Sequence, residues 1–327
     1  MSVMTRFIER ARSRQGRVVF PEGHDERIVS AARQLVEQQA ARPIVLGKRE
    51  DIEMLAQEHA ICLDGIEIVN PLEWPKLNDY AADYARRRHM EDRIALRLVK
   101  KPPVFGGMLV AQGDADTMVA GVEHATATVI QAAVLTVGYA PGIRTVSSFF
   151  LMVLPAFEGR SEVPLMFADC GVNIQPTAEQ LADIALSTYA TAERLMPEPP
   201  RLAMLSFSTL GSAAHDDVHK VTRALELARQ RRPDAAIDGE FQADAALVAR
   251  VAAKKVKRDS PVAGRANVLV FPDLDSGNIA YKLTQYLAGA RAFGPVLQGF
   301  ARPVSDLSRG ATADDIFATS LICLAQL

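Results

Sequence analysis

The chain has 327 residues, enough for two α/β domains of ordinary size or for one large unit. Hydrophobic residues make up 49% of it and charged residues 23%, which excludes a disordered tail protein, a collagen-like repeat and a disulfide-stapled miniprotein. The formal net charge of −2 at pH 7 gives no overall positive field that would indicate a nucleic-acid partner.

The amino-terminal segment and the cysteines bear on where the protein works. Residues 1–17 are basic but lack the apolar core of a secretory signal, and no apolar run is long enough to cross a bilayer. Cys62, Cys170 and Cys323 lie far apart and form no Cys-x-x-Cys pair, which argues against a zinc site or a disulfide framework. We therefore expect a cytoplasmic protein that binds no metal, membrane or nucleic acid.

Apolar strand-like runs alternate with amphipathic helical stretches along the chain. A strand over 17–20, a helix over 25–39 and a strand over 43–47 form a first βαβ unit. The second half repeats the pattern with strands predicted at 163–167, 201–207 and 267–271 and helices at 177–195, 215–230 and 278–290. This alternation predicts parallel α/β architecture, with a domain boundary near Pro141-Gly142 where the pattern restarts.

Three loops follow buried strands, at the sheet edge where open parallel sheets bind ligands. Residues 206–212 place hydroxyls and a glycine ahead of a helix, which suits a phosphate, although a polar connection capped by Ser212 explains them as well. Residues 271–278 lead to Tyr281 and Lys282 and could position a phosphorylated substrate. The alternative there is a simple turn with Asn278 as the helix cap.

The third loop covers residues 303–315. Arg309 lies beside Ser308 and a glycine, ahead of a helix, and a guanidinium in that setting can grip a phosphate through a bidentate fork. Asp315 could then act as a general base. The structural alternative is a capping box, because Thr312 and Asp315 have the required spacing.

Several of these segments together resemble the signature motifs of phosphate acetyltransferases. The closest matches are FPDLDSGNIAYK at 271–282 and PVSDLSRG at 303–310. Further matches in the same order are residues 168–170, 176–182, 203–209, 238–246 and 260–267. The resemblance spans essentially the whole chain and is densest after residue 168.

The resemblance implies reversible acetyl transfer between acetyl phosphate and coenzyme A, with no covalent enzyme intermediate, no metal and no bound cofactor. It also implies a homodimer and two α/β/α lobes around a cleft, of the isocitrate and isopropylmalate dehydrogenase type. The first lobe would comprise residues 1–141 and 298–327, and the second residues 142–297.

Roles carry over by position from the family. Asp315 would deprotonate the coenzyme A thiol, Ser308 would hydrogen-bond the developing charge, and Arg309 would hold the acyl phosphate. Residues expected to bind substrate are Ser208, Thr209, Asn278, Tyr281, Lys282 and Arg87. A solvated basic helix face is the alternative reading of Arg87.

The chain also departs from the family pattern. Gln131 stands where members usually carry an arginine, seven residues after the histidine that matches His124, and Leu210 and Ala311 replace a frequent Lys and Cys. These departures keep two alternatives open: an acyltransferase for propanoyl or butanoyl groups, and a non-catalytic acyl-CoA-sensing homologue. An NAD-dependent dehydrogenase is disfavoured, because no Gly-x-Gly-x-x-Gly fingerprint follows a strand.

Overall fold

The structure, a computed structural model, describes residues 3–327 and divides them into two compact units. The first unit runs to Ala140 and includes Phe300–Leu327; the second is Pro141–Gly299. Up to Ala140 the elements are α1 (Val3–Arg14), β1 (Arg17–Phe20), α2 (Glu26–Glu37), β2 (Arg42–Leu46), α3 (Arg49–Glu58), β3 (Glu67–Val69), α4 (Leu77–Arg88), α5 (Asp92–Val99), α6 (Pro102–Gln112), β4 (Thr117–Ala120) and α7 (Thr126–Thr136).

The second unit contributes β5 (Ser147–Phe157), β6 (Arg160–Ala168), α8 (Ala178–Leu195), β7 (Leu202–Leu205), α9 (Asp216–Arg231), β8 (Ile237–Phe241), α10 (Ala243–Leu247), α11 (Ala249–Lys255), β9 (Val268–Val270), α12 (Leu274–Leu287) and β10 (Arg291–Gln298). The chain then returns to the first unit with β11 (Val304–Asp306) and α13 (Ala313–Ala325).

The sheet of the first unit has five strands among the described residues, in the order β11-β4-β1-β2-β3, all parallel. Val18, Val19 and Phe20 of β1 are all buried, as expected for a strand covered by helices on both faces. Parallel strands end at the same edge, and β11, β4 and β1 are neighbours. The segments that follow these three strands therefore emerge side by side, although they lie far apart in sequence.

Helix α13 packs against α1 and α2 and buries most of its side chains, including Ile316, Leu321 and Ile322. Its first turn is a capping box: Thr312 accepts from the backbone of Asp315, and the Asp315 carboxylate accepts from the backbone of Thr312. This confirms the box predicted at these two positions.

The second unit has a mixed sheet of six strands within the described chain, in the order β10-β5-β6-β9-β7-β8. From β6 to β8 the strands are parallel, but β5 is antiparallel to both of its neighbours, β10 and β6. The sequence pattern predicted parallel strands throughout. The difference arises because β5 and β6 are joined by a tight turn at Glu158 and Gly159, which only antiparallel strands allow.

Two interpretations of the sequence in the second unit are wrong. Residues 274–277 form the first turn of α12 and not a loop, because Asp273 caps the helix by accepting a 2.8 Å bond from the backbone N–H of Ser276. Asn278 is therefore not the cap. Ser212 is not a helix cap either, since α9 begins later, with His215 as its N-cap.

None of the helices in the described residues combines the length and apolar character needed to span a membrane.

Candidate active site

Strand β11 leads directly into the segment that carries Ser308 and Arg309, both of which are exposed. The Ser308 hydroxyl accepts a 3.2 Å bond from the backbone N–H of Gly310, which curls the segment into a turn. Among residues 3–327, the Arg309 guanidinium contacts no partner in a hydrogen bond or ion pair. An exposed and uncommitted guanidinium is available to bind an anion.

The backbone of this segment is held by Arg27, a residue that the sequence did not single out. Arg27 Nη1 donates to the carbonyl oxygens of Arg309 (2.8 Å) and Ala311 (2.9 Å). Its Nε and Nη2 donate to the two carboxylate oxygens of Asp25, at 2.9 and 2.6 Å. Burial alone would raise the pKa of Asp25, but its bonds and charge interaction with Arg27 hold that pKa below the ordinary value. Arg27 thus fixes the backbone around Arg309 while leaving the side chain of Arg309 unbound.

Asp315 lies one turn into α13 and is exposed. Its Oδ2 accepts from the backbone N–H of Thr312 at 2.9 Å and from the Thr312 hydroxyl at 2.8 Å. Its Oδ1 has no hydrogen bond to the described residues. One oxygen therefore caps the helix while the other faces solvent, so the capping and general-base interpretations are compatible in this geometry.

A buried carboxylate organises the loop beside this segment. Glu22 follows β1 and is fully buried. Its two oxygens accept the backbone N–H groups of residues 121–124, which follow β4, at 2.8–3.1 Å. Oε1 also lies 2.7 Å from Nδ1 of His124. Glu22 carries no local signal in the sequence, because its partners are about a hundred residues away and only strand pairing brings them together.

Asp306, the last residue of β11, carries no such local signal either, since its partner is also distant in the chain. It is buried, and its Oδ2 accepts a 2.5 Å bond from the hydroxyl of Thr126, the first residue of α7. Two buried acids thus lie at the carboxyl ends of β11, β4 and β1, the edge of the sheet from which the Ser308 segment emerges.

Arg87 lies on α4, and its side chain reaches the carboxyl end of α7. Its contacts do not include Ser308, Arg309 or Asp315. Its Nε forms a 2.7 Å ion pair with Asp83, and its Nη1 donates to the carbonyl oxygen of Thr136 at 3.3 Å. The neighbouring Arg88 donates to two further carbonyls of that helix end. Cations there complement the helix dipole. Gln131, on the same helix, is exposed.

In the second unit, Ser208 and Thr209 follow β7 and are buried. The Ser208 hydroxyl donates to Glu240 Oε1 at 2.8 Å, and the Thr209 hydroxyl accepts from the backbone N–H of Gln242 at 2.9 Å. Backbone N–H groups from 208 to 213 all bond within the protein. These hydroxyls therefore point toward the end of β8, and none of the N–H groups from 208 to 213 is open.

Helix α12 gathers the other predicted substrate residues on its first turns. Asn278 Nδ2 donates to the carbonyl oxygen of Cys170 at 3.1 Å. The Tyr281 ring stacks on Phe150 with ring centroids 3.9 Å apart, and Lys282 Nζ lies 5.0 Å from the centroid of the Tyr281 ring. The Lys282 ammonium is exposed and forms no ion pair within residues 3–327, so its charge is available to an anion.

The described residues contain no group of three or more His, Cys, Asp and Glu side chains that could hold a metal ion. His215 is used as the cap of α9, where its Nδ1 accepts from the backbone N–H of Asp217.

The chain is similar to known proteins along essentially its whole length. The phosphate acetyl/butaryl transferase family model matches residues 2–324. A phosphate acetyltransferase from Acetivibrio thermocellus is 44% identical over 329 residues, covering 100% of this chain and 98% of that protein. The crystal structure of a phosphotransacetylase from Streptococcus pyogenes is 40% identical with a TM-score of 0.91, covering 99% and 97% of the two chains.

A more distant likeness concerns the fold alone. A 4-hydroxythreonine-4-phosphate dehydrogenase from Burkholderia phymatum matches with a TM-score of 0.56 at 14% identity, covering 95% of this chain and 97% of that one. The predicted dehydrogenase-like α/β fold class is confirmed.

Proposed function

Since the chain belongs to the phosphate acetyl/butaryl transferase family, we propose that it transfers acetyl groups reversibly between acetyl phosphate and coenzyme A. The observation that supports this best is the segment after β11. It presents an uncommitted guanidinium, a hydroxyl and a carboxylate with one open oxygen within eight residues, Ser308 to Asp315. These groups suit direct attack of a thiol on an acyl phosphate, because a base can take the thiol proton while a cation and a hydroxyl stabilise the negative charge.

In the proposed mechanism, Arg309 binds the phosphoryl oxygens of acetyl phosphate and Asp315 Oδ1 takes the proton of the coenzyme A thiol. The thiolate sulfur attacks the carbonyl carbon, the bond from that carbon to the phosphate oxygen breaks, and inorganic phosphate leaves. Ser308 donates a hydrogen bond to the negative charge that develops on the acyl oxygen. Because a free thiol has a pKa near ~8.5, a nearby base matters most at neutral pH.

We assign the remaining residues to substrate binding. Lys282 offers an exposed ammonium that forms no ion pair in the described chain, and Asn278 and Tyr281 share its helix, which suits an anionic substrate. Ser208 and Thr209 would act through the rigid loop they hold, because their hydroxyls bond inward. Arg87 retains partial exposure beside its bond to Asp83, which leaves room for a substrate contact.

We propose coenzyme A and acetyl phosphate as the substrates, with no resident cofactor. A test is to mix the protein with coenzyme A and acetyl, propanoyl or butanoyl phosphate and follow thioester absorbance. We expect phosphate-reversible thioester formation that is fastest with acetyl phosphate. A faster rate with butanoyl phosphate would instead favour the longer-chain alternative, and folded protein that forms no thioester would favour the acyl-CoA sensor.

We propose a cytoplasmic location as well. Cys62, Cys170 and Cys323 form no disulfide in the part of the chain that the structure describes, in keeping with a reducing compartment. Both proposed substrates are strongly anionic and do not cross a bilayer unaided.

We further propose that the protein is a homodimer that pairs through α12. Within the described chain, Gly277 is the only buried residue of this 14-residue helix. Four large apolar side chains lie on one exposed stripe: Ile279 (56% exposed), Leu283 (52%), Tyr286 (79%) and Leu287 (82%). A two-fold axis would pack such a stripe against its own copy and would cover the apolar face of α12 that the described chain leaves exposed.

Replacing Leu283 by Glu is expected to weaken this dimer by about 100-fold or more, since an unpaired charge would be buried in the interface. Sedimentation over a concentration series measures the shift. The matched control is Met54→Glu, which places the same charge on an exposed apolar position of α3 and should leave the dimer unchanged. A Leu283→Glu protein that stays dimeric at low concentration would show that another face forms the dimer.

A further inference from the structure

One buried acid has no role in the mechanism proposed above. Asp306 is 3% exposed and stands two residues before Ser308. Its Oδ2 accepts the 2.5 Å bond from Thr126, but its Oδ1 is buried with no hydrogen-bond partner among the described residues. An unsatisfied buried carboxylate oxygen is unfavourable to the fold and calls for an explanation.

The side of the Asp306 carboxylate that faces Gly121 is closely packed. A Cβ atom added to Gly121 would lie 2.3 Å from Asp306 Oδ1 and 2.6 Å from the backbone nitrogen of Leu307. Gly121 has a φ of 117°, so the position requires glycine on both grounds. The loop after β4 thus packs closely against the Asp306 carboxylate and against the start of the Ser308 segment.

The charges around Asp306 disfavour its ionised form. Burial is the larger cause and the nearby Glu22 carboxylate adds to it, and together they raise the pKa of Asp306 to about 6. Glu22 is itself bonded to His124 and to the loop amides. At neutral pH the chain therefore keeps a second negative charge buried beside Glu22, although a neutral side chain would be more stable there.

We propose that Asp306 is a positioning residue of the acyl-transfer site: through its bond to Thr126, its carboxylate holds the end of β11 against the start of α7 and thereby fixes Ser308 and Arg309. The inference rests on the roles proposed for those two residues. It goes beyond them by assigning the site's geometry to a residue that contacts no substrate.

The direction of the pH effect follows from the chemistry of this bond. A hydroxyl donating to a carboxylate forms a charge-assisted bond roughly twice as strong as a neutral one. When Asp306 is protonated that bond weakens, and a proton on Oδ1 would find no acceptor among the described residues. The Ser308 segment should therefore be best positioned above the pKa of Asp306 and loosen as the pH falls through it.

The first test compares wild type with Asp306→Asn, which keeps the shape and removes the charge. The quantity to measure is the ratio of their kcat values from about pH 5 to about pH 8.5. Titration of the substrates affects both proteins alike and cancels in the ratio. We expect the ratio to rise from near one at low pH to about 10 or more above neutrality. A ratio that does not change with pH would overturn the proposal.

The second test uses a matched pair at the partner residue. Thr126→Ser keeps the hydroxyl and should behave as wild type, whereas Thr126→Val removes it. Without that hydroxyl the charge-assisted bond cannot form at any pH, so the valine variant should have a lower kcat above neutrality and should lose the acid limb that Asp306 imposes. An unchanged profile in that variant would contradict the assigned bond.

The third test measures stability by chemical denaturation. The pKa of Asp306 is raised in the folded state above its ordinary 3.8, so its ionisation destabilises the fold progressively as the pH rises from about 4 to about 7. As the pH rises, the free energy of unfolding of Asp306→Asn should therefore increase relative to that of wild type, while its kcat falls relative to that of wild type. Parallel losses of stability and activity at every pH would indicate a merely structural residue. Failure of the proposed function would look different, as wild-type protein that forms no thioester at any pH.

Discussion

Asp315→Asn is expected to lower kcat for thioester formation by about 10²- to 10⁴-fold at neutral pH, with much smaller changes in KM. An asparagine carbonyl can still accept the bonds from Thr312 that cap α13, so the helix start should survive the substitution. The carboxylate that takes the thiol proton is lost. The variant should then recover rate as the pH approaches the thiol pKa, because the thiol ionises without help.

Two matched variants separate catalysis from helix capping. Asp314→Asn removes a charge from the same exposed turn, where Asp314 Oδ1 accepts only a 2.9 Å bond from Gln34, and should retain most of the activity. Thr312→Ala removes the capping partner and leaves the carboxylate in place, with a stability loss of about 1 kcal/mol. If Asp315→Asn turns over like wild type at neutral pH, Asp315 is a cap only.

Arg309→Gln is expected to reduce kcat/KM for acetyl phosphate by about 10²- to 10³-fold, because the positive fork that faces the leaving phosphate is removed. Arg27 holds the backbone carbonyl of Arg309 and not its side chain, so the segment itself should keep its conformation. The kcat/KM of Arg309→Lys should lie between those of wild type and Arg309→Gln, since a point charge remains but the bidentate geometry does not. Steady-state kinetics with acetyl phosphate as the varied substrate measures the loss.

The control for Arg309 is Arg302→Gln, an exposed arginine ahead of β11 with no described partner. It should be close to wild type, which would exclude a general effect of net charge. A defect of Arg309→Gln confined to KM for coenzyme A would reassign the guanidinium to the coenzyme's phosphates.

Local chemistry determined much of what could be read from the sequence. Thr312 and Asp315 predict a capping box, because the two partners of such a box lie three residues apart. Strand β1 can be predicted because Val18 to Phe20 are continuously apolar. Ser308, Arg309 and Asp315 were found in the same way, as neighbours in a motif. The bond that links Asn278 to Cys170 was not, because it depends on how α12 packs.

The order of the strands was decided only by the tertiary structure. Apolar strands that are buried on both faces carry no local signal of which strand lies beside which. Placing β11 and β1 on either side of β4 brings Arg27, Glu22 and Asp306 to the segment that holds Ser308. Arg27 and the Arg309 carbonyl it holds are 282 residues apart in the chain. The sequence by itself therefore determined the groups proposed to react, and the fold determined the groups that hold them in place.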